Sequence, residues 1–524
     1  ALGKSSLGAN TTGCENTAIG KDAMLANTTG IRNVAVGKGS LKTNTTGASN
    51  VAIGREALGV ATTAANNTSV GFDSMQATTT GAGNVAIGRN ALFTNTTGTE
   101  NVAIGLYALN ANTTGDRNVA IGCGALDANT TADTNTAVGS NALGVNITGS
   151  SNTAVGDLSL DANTTGTNNT ATGRSTLGAN TTGGFNTTIG AGSLNSNTTG
   201  TCNASVGYLA LDANTTGASN VAIGADALGA NTTGTGNVGV GCGSLLVHTT
   251  GAFTTALGFR AMCSNTTVSG NTGLGACALK KNTTGGGNTA VGYQSAQLNT
   301  TGANNTAMAC DALAFNTTGS DNTAVGYQAL CKNTTAANNT AVGRGSLTGN
   351  TTGHSNVALG NYALLVNTTG HSNVAVGKCA LCNHTTGAGN FGFGVLSGAD
   401  AMINVTSENN RAVFGNTSVT NAYVKVAFTV TSDARDKTNF GTVPHGLDFV
   451  NKLEPVSFQF KKSREDDTPA GDLRYGFKAQ DIMALEGDNP VIIDNEFEDA
   501  LKYKGEHLVP VLVNAIKELK AEIE

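Results

Sequence analysis

Hydrophobic and polar positions recur along the first three quarters of the chain with a period of about 17 residues, in a unit that reads N-[VT]-A-[IV]-G-x-x-A-L-x-x-N-T-T-G-x-x, as at residues 101–115. The glycine column runs from Gly3, Gly20 and Gly37 to Gly394 and is broken only by Ala309. The leucine column accepts only Met24, Met75, Met262 and Ala296, and the asparagine column that starts at Asn16 and Asn33 fails only at Thr254. Roughly 23 copies kept in such strict phase imply units that stack on one another. A helical solenoid needs longer units with two helices each, whereas β-branched residues, Gly and Asn favour short strands and tight turns. The pattern predicts an all-β parallel β-solenoid.

Within the strand, a period of two puts Val34 and Val36 on one face and Ala35 on the other, and both faces are apolar. A strand apolar on both sides is buried on both. The expectation is that one face fills the coil while the small alanine face meets another chain, which makes the protein an oligomer. The Asn-Thr-Thr-Gly segments (residues 27–30, 44–47, 112–115) supply turns, and stacking converts them into Asn and Thr ladders. Each is also an N-glycosylation acceptor sequence, which the surface position of a turn would suit. A repeat that needs Asn and Thr for its turn generates such sequences by construction.

From about Asn404 the pattern lapses. Residues 411–415 and 423–430 read as strands. Around and after Pro510, from Val509 through Leu512, Ile516 and Leu519 to Ile523, apolar residues alternate spacings of three and four, the stripe of a helix with a coiled-coil seam. The expected organisation is a repeat region at 1–399, a transition of β-strands at 400–431 and a small α+β domain at 432–524. Composition agrees that two different polymers are joined: all five prolines lie in the last quarter, and all ten cysteines lie between Cys14 and Cys382.

The 71 glycines, the absence of Trp and a charged fraction of 12% are unlike an ordinary enzyme of this length. A formal net charge of -6 offers no basic stripe to neutralise phosphates, so no nucleic acid partner is expected. No run approaches the roughly 20 apolar residues that span a bilayer, so no membrane insertion is expected. Cys379 and Cys382 form the only CxxC, on a strand edge, and the scattered cysteines show no metal-ligand spacing. They are expected to be buried small hydrophobes or free thiols; neither metal nor cofactor is expected.

Two stretches resemble known families. The N-[SV]-x-A-[IV]-G strand followed by x-x-A resembles the head repeats of trimeric autotransporter adhesins, although the unit here is longer; that resemblance implies a β-roll of three chains. Thr431-Ser432-Asp433-Ala434-Arg435-Asp436-Lys437 resembles the S-D-x-R-x-K signature of the intramolecular chaperone at the end of phage endosialidases and other tail fibres and spikes. Segments 446–458, 475–482 and 508–520 stand in that family's order and spacing. The resemblance implies that Ser432 attacks the carbonyl of Thr431 with Lys437 as base, releasing the domain after a homotrimer has assembled. In that chemistry Arg435 lends a cationic field while Asp433 and Asp436 hold the loop, and Leu512, Ile516, Leu519 and Ile523 form the trimer seam. A lysine acts as base only when desolvation or nearby cations lower its pKa from about 10.4. A Ser and a Lys five residues apart lie about 16 Å apart on a regular strand, so a turn stabilised by the assembled trimer is needed to bring them together.

The function that follows is a trimeric fibre or adhesin on a virion surface or in the extracellular space, with a host-surface receptor or glycan as its target and no activity on other molecules. A glycan depolymerase is the enzymatic alternative, but glycoside hydrolysis needs two carboxylates about 5 to 9.5 Å apart. Acids such as Asp157 and Asp161 occupy variable columns. An ice- or surface-binding solenoid is the third class, disfavoured because the adjacent threonines point to opposite faces.

Overall fold

Why a 17-residue unit closes on itself is visible in its backbone. The computed structural model describes residues 1–524 other than 401–402, 420–421, 424, 426–431, 462–463 and 497–500. It contains two units, Ala1–Asn339 and Thr340–Glu524. In the first, nineteen three-residue strands run from Thr17–Ile19 to Thr323–Val325. Each pairs in parallel with the next in identical register, as in Thr17↔Val34, Ala18↔Ala35 and Ile19↔Val36. In the second unit, Thr340–Val342, Val357–Leu359, Val374–Val376 and Phe391–Phe393 repeat that ladder. Ala412–Phe414 extends it after a longer loop, with Arg411 standing 21 rather than 17 residues after Asn390. The repeat region is therefore a parallel β-solenoid of 17-residue coils.

The column glycines hold φ near +135°, and a Cβ on Gly20 would lie 2.6 Å from the Gly37 carbonyl oxygen of the next coil. A Cβ there meets backbone, so Gly fills the column in every coil but the one that holds Ala309 at φ 115°. The turn that follows places two further residues per coil in the left-handed region, among them the column leucines, such as Leu41 at φ 47° and Leu58 at φ 52°. A leucine there costs roughly 1–2 kcal/mol. Stacking offsets it: the Leu41 N–H donates to the Ala57 carbonyl (3.1 Å), and the side chain is wholly buried inside the coil. Burying one leucine contributes roughly 1.5–3 kcal/mol.

The strand faces correct the sequence reading. The central alanines, Ala18, Ala35, Ala52 and Ala103 among them, have no exposed surface and line the interior of their own coil. The β-branched positions on either side point outward, with Ile19, Ile53 and Ile87 each about 40% exposed. The small face fills the coil because the interior already holds a leucine and two asparagine side chains.

Those asparagines form two internal ladders. Asn44 donates from Nδ2 to Asn27 Oδ1 (2.7 Å) and to the Gly47 carbonyl (3.0 Å). Asn50 donates to Asn33 Oδ1 from both its backbone N–H (3.0 Å) and its Nδ2 (3.1 Å). The first threonine of each turn bonds the next coil, as Thr45 Oγ1 does to the Thr62 carbonyl (3.0 Å). Within the stack these acceptor sequences offer no glycan site: Asn27, Asn44 and Asn112 are fully buried, with their amides engaged in the ladder, whereas Asn10 in the first coil is exposed. All ten cysteines are free thiols. Cys379 and Cys382 lie in the turn after Val374–Val376 rather than on a strand edge, and burial, then the neighbouring Cys379 thiol, push Cys382 up to about 12.

Beyond the last coil, α1 (Leu447–Asn451), an antiparallel hairpin of Val456–Lys461 with Pro469–Gly476, α2 (Ala479–Glu486) and α3 (Leu508–Ile523) form a small domain. Phe449, Ile482, Ile492, Ile493, Leu508 and Val511 make its core. The expected strand at 423–430 lies largely outside the described residues. No helix among the described residues is long and apolar enough to cross a membrane.

Candidate self-cleavage site and helical seam

Asp433 starts the arrangement. Its carboxylate accepts from the Arg435 backbone N–H (2.9 Å) and caps a single turn of 3-10 helix, Ala434–Asp436. The Lys437 N–H closes that turn on the Ala434 carbonyl (3.3 Å). This reversal folds the five-residue separation back on itself, and Lys437 Nζ lies 2.6 Å from Ser432 Oγ. The turn thus brings together the two side chains that a regular strand would hold apart.

The neighbouring charges gather on the same turn. Arg435 Nε reaches both Asp433 carboxylate oxygens at 3.1 Å, so its charge is matched locally instead of facing Lys437. The Arg435 guanidinium, followed by its backbone amide, holds the Asp433 carboxyl below the usual range. Asp436 gives the turn its backbone N–H, which donates to the Asp433 carbonyl (3.2 Å). Ser432 and Lys437 are both open to water. Thr431, the residue on the other side of the expected cut, lies outside the described residues.

The seam positions of α3 are exposed: Leu512 by 38%, Ile516 by 66%, Leu519 by 44% and Ile523 by 78%. The other face of the helix, Leu508, Val511 and Ala515, is buried against its own domain. The stripe is thus not consumed by intradomain packing.

Sequence reasoning missed the carboxylates that pin this domain. Glu486, at the end of α2, accepts from the backbone N–H groups of Val491 (2.8 Å), Ile492 (2.7 Å) and Ile493 (3.0 Å). Glu518 on α3 accepts from the Leu447 N–H at the start of α1 (2.6 Å). Arg411, beside the last solenoid strand, pairs with Glu496. Each acid is an ordinary polar residue in the linear chain, and only the fold brings its donors to it.

Comparison with curated proteins and with solved structures returns no match. Residues 432–490, which begin at the serine of the turn, match the family model described as chaperone of endosialidase, so the β-solenoid is followed by a domain of that family.

Proposed function

We propose that the chain is one subunit of a homotrimeric fibre or spike, on a virion surface or otherwise extracellular, whose C-terminal domain guides assembly and then severs itself between Thr431 and Ser432. The observation that carries this is the 2.6 Å approach of Lys437 Nζ to Ser432 Oγ in a turn built by Asp433. A serine hydroxyl is a weak nucleophile until a base removes its proton. In the cut, Lys437 takes the Oγ proton and Oγ adds to the Thr431 carbonyl carbon. The bond to the Ser432 nitrogen breaks, that nitrogen leaves protonated, and water hydrolyses the resulting ester. The base must be an uncharged amine, a form that desolvation favours. In the single chain both groups face water, so assembly supplies the dry surroundings and couples cleavage to correct folding.

Two exposed apolar surfaces support association. The α3 seam is one. The other is the outward column of Ile and Val along the strands, because long contiguous apolar surfaces mark interaction sites. The solenoid is the part that meets a host receptor or glycan.

A denaturing gel of the assembled protein, with N-terminal sequencing of the short band, tests the cut. The wild type should yield a long fragment and one beginning at Ser432. Ser432→Ala and Lys437→Ala should remain full length yet still associate. Lys452→Ala should cut normally, since Lys452 pairs with Asp448 (2.6 Å) away from the turn. An intact wild-type chain after trimer assembly overturns self-cleavage and leaves the chaperone fold standing.

A further inference from the structure

The position after the column glycine carries Lys4, Lys21, Lys38, Arg55, Phe72 and Arg89 in six successive coils, all exposed. At the strand spacing of about 4.8 Å per coil, this single file extends ~24 Å. Phe72 continues the file: the Arg55 guanidinium lies 5.3 Å from its ring centroid and that of Arg89 5.8 Å. Among the described residues, none of the five cations is in an ion pair. The overall charge of -6 conceals this ladder, because residues 1–89 hold seven Lys and Arg against four Asp and Glu. The composition argument against a basic stripe therefore fails locally.

The flanks of the ladder narrow its ligand. On one side, the adjacent column places the half-buried Asp22, Glu56 and Asp73. On the other, across the glycines, lie the exposed Ile19, Ile53 and Ile87. A ligand that follows this surface beside the associating isoleucine column needs negative charges in line at about one coil's rise and hydroxyl donors for the carboxylates.

We propose that the ladder binds a linear acidic polysaccharide carrying a carboxylate on successive sugars. Its carboxylates pair with the Lys and Arg file and its hydroxyls donate to Asp22, Glu56 and Asp73, while the isoleucine column across the glycines is left to the association of chains. A single strand of nucleic acid fits less well. Such strands bind where successive bases stack on aromatic faces, and the file offers a single ring, Phe72, which already has two guanidinium groups over it. Its phosphodiester backbone also brings no donors to the three carboxylates, which repel it. The proposal deepens the glycan-binding part of the functional reading and is independent of the cut. A chain that binds but stays intact overturns only self-cleavage, and one that is cut but does not bind overturns only the ladder.

The test measures binding of the full chain to polygalacturonate, to neutral dextran and to a thymidine oligonucleotide of matched charge. Polygalacturonate should bind, more weakly as salt is added, dextran should not bind, and the oligonucleotide should bind less tightly than polygalacturonate. Replacing Lys21→Gln, Lys38→Gln and Arg55→Gln together should lower polygalacturonate affinity on the order of tenfold. Arg117→Gln, Arg260→Gln and Lys281→Gln together, an equal charge change elsewhere on the solenoid, should leave it unaltered. Equal losses in the two triple variants, an oligonucleotide that binds as tightly, or no binding of polygalacturonate overturns the proposal.

Discussion

His248 occupies a position where most coils put an internal asparagine, and its ring can satisfy only part of that role. Its Nε2 meets the Gly251 carbonyl at 2.9 Å, which fixes the proton on Nε2 because a carbonyl only accepts. Nδ1 has no partner, and neither has Oδ1 of Asn231 or Asn265, the neutral neighbours stacked on either side. Burial holds the imidazole below its usual 6.5, against a smaller opposing effect of the Gly251 carbonyl. The unfolded chain therefore takes up a proton at higher pH than the folded rung does. The rung's contribution is complete above about pH 6.5 and is lost as pH falls below it towards the depressed folded value. Hydrogen exchange across residues 237–271 should accelerate at about pH 5 relative to distant coils, once intrinsic exchange is corrected. His248→Asn should remove that acid sensitivity and stabilise the rung by about 1 kcal/mol by giving Asn231 Oδ1 its donor. The same acceleration in the variant would rule this account out. The asparagine columns were legible in the sequence, since a column repeated in phase can only be a stack. The left-handed leucines were not, because Leu avoids that conformation on its own, and only hydrogen bonds to the next coil hold it there.

The strand shows how a correct pattern can be given the wrong orientation. Alternation located two faces in Val34-Ala35-Val36, yet both are apolar, and periodicity cannot rank them. Side-chain volume can, because a coil this small admits only a small residue beside its leucine and asparagines, alanine in most strands and Gly, Ser or Thr in the others up to Phe391–Phe393. Ala103→Glu should therefore destroy the coil itself, since a buried unpaired charge costs several kcal/mol. Ile121→Glu, on a side chain 38% exposed, should keep the coil and weaken association of chains. Circular dichroism with sedimentation separates the two, and equal loss of β signal in both variants would contradict the assigned faces. The helix at the end carries the same logic. Leu512→Ser with Ile516→Ser should abolish the proposed trimer while leaving the domain folded, as sedimentation with circular dichroism would show. Val511→Ala, which removes two methyl groups from the domain's own core, should lower its stability by about 1–3 kcal/mol. The turn at 432–437 was legible as a motif, while its closing contact was not: only the folded backbone brings the Arg435 N–H to the Asp433 carboxylate one residue after the serine.

Across the chain, the change from repeat to terminal domain was readable from proline and cysteine placement alone. The longer loop before Ala412–Phe414 was not, because four additional residues in a loop leave no periodic trace. The identical register of neighbouring coils leads to a test at this level. Deleting residues 102–118 joins Asn101 to Val119 and sets Val119 where Val102 had paired with Val85. That protein should fold with nearly unchanged thermal stability and be shorter by about 4.8 Å. Deleting residues 102–117 removes one residue fewer and should not fold to a regular solenoid, because a one-residue slip turns every strand side chain to the other face. Similar midpoints for the two deletions would refute register as the organising constraint.

That interchangeability extends to heredity. Near-identical repeats are substrates for unequal recombination, and any exchange that adds or removes whole units gives a protein that still stacks. Length then becomes a trait that varies in fixed increments under selection for reach, while the sequence within each increment is held by the geometry of its neighbours.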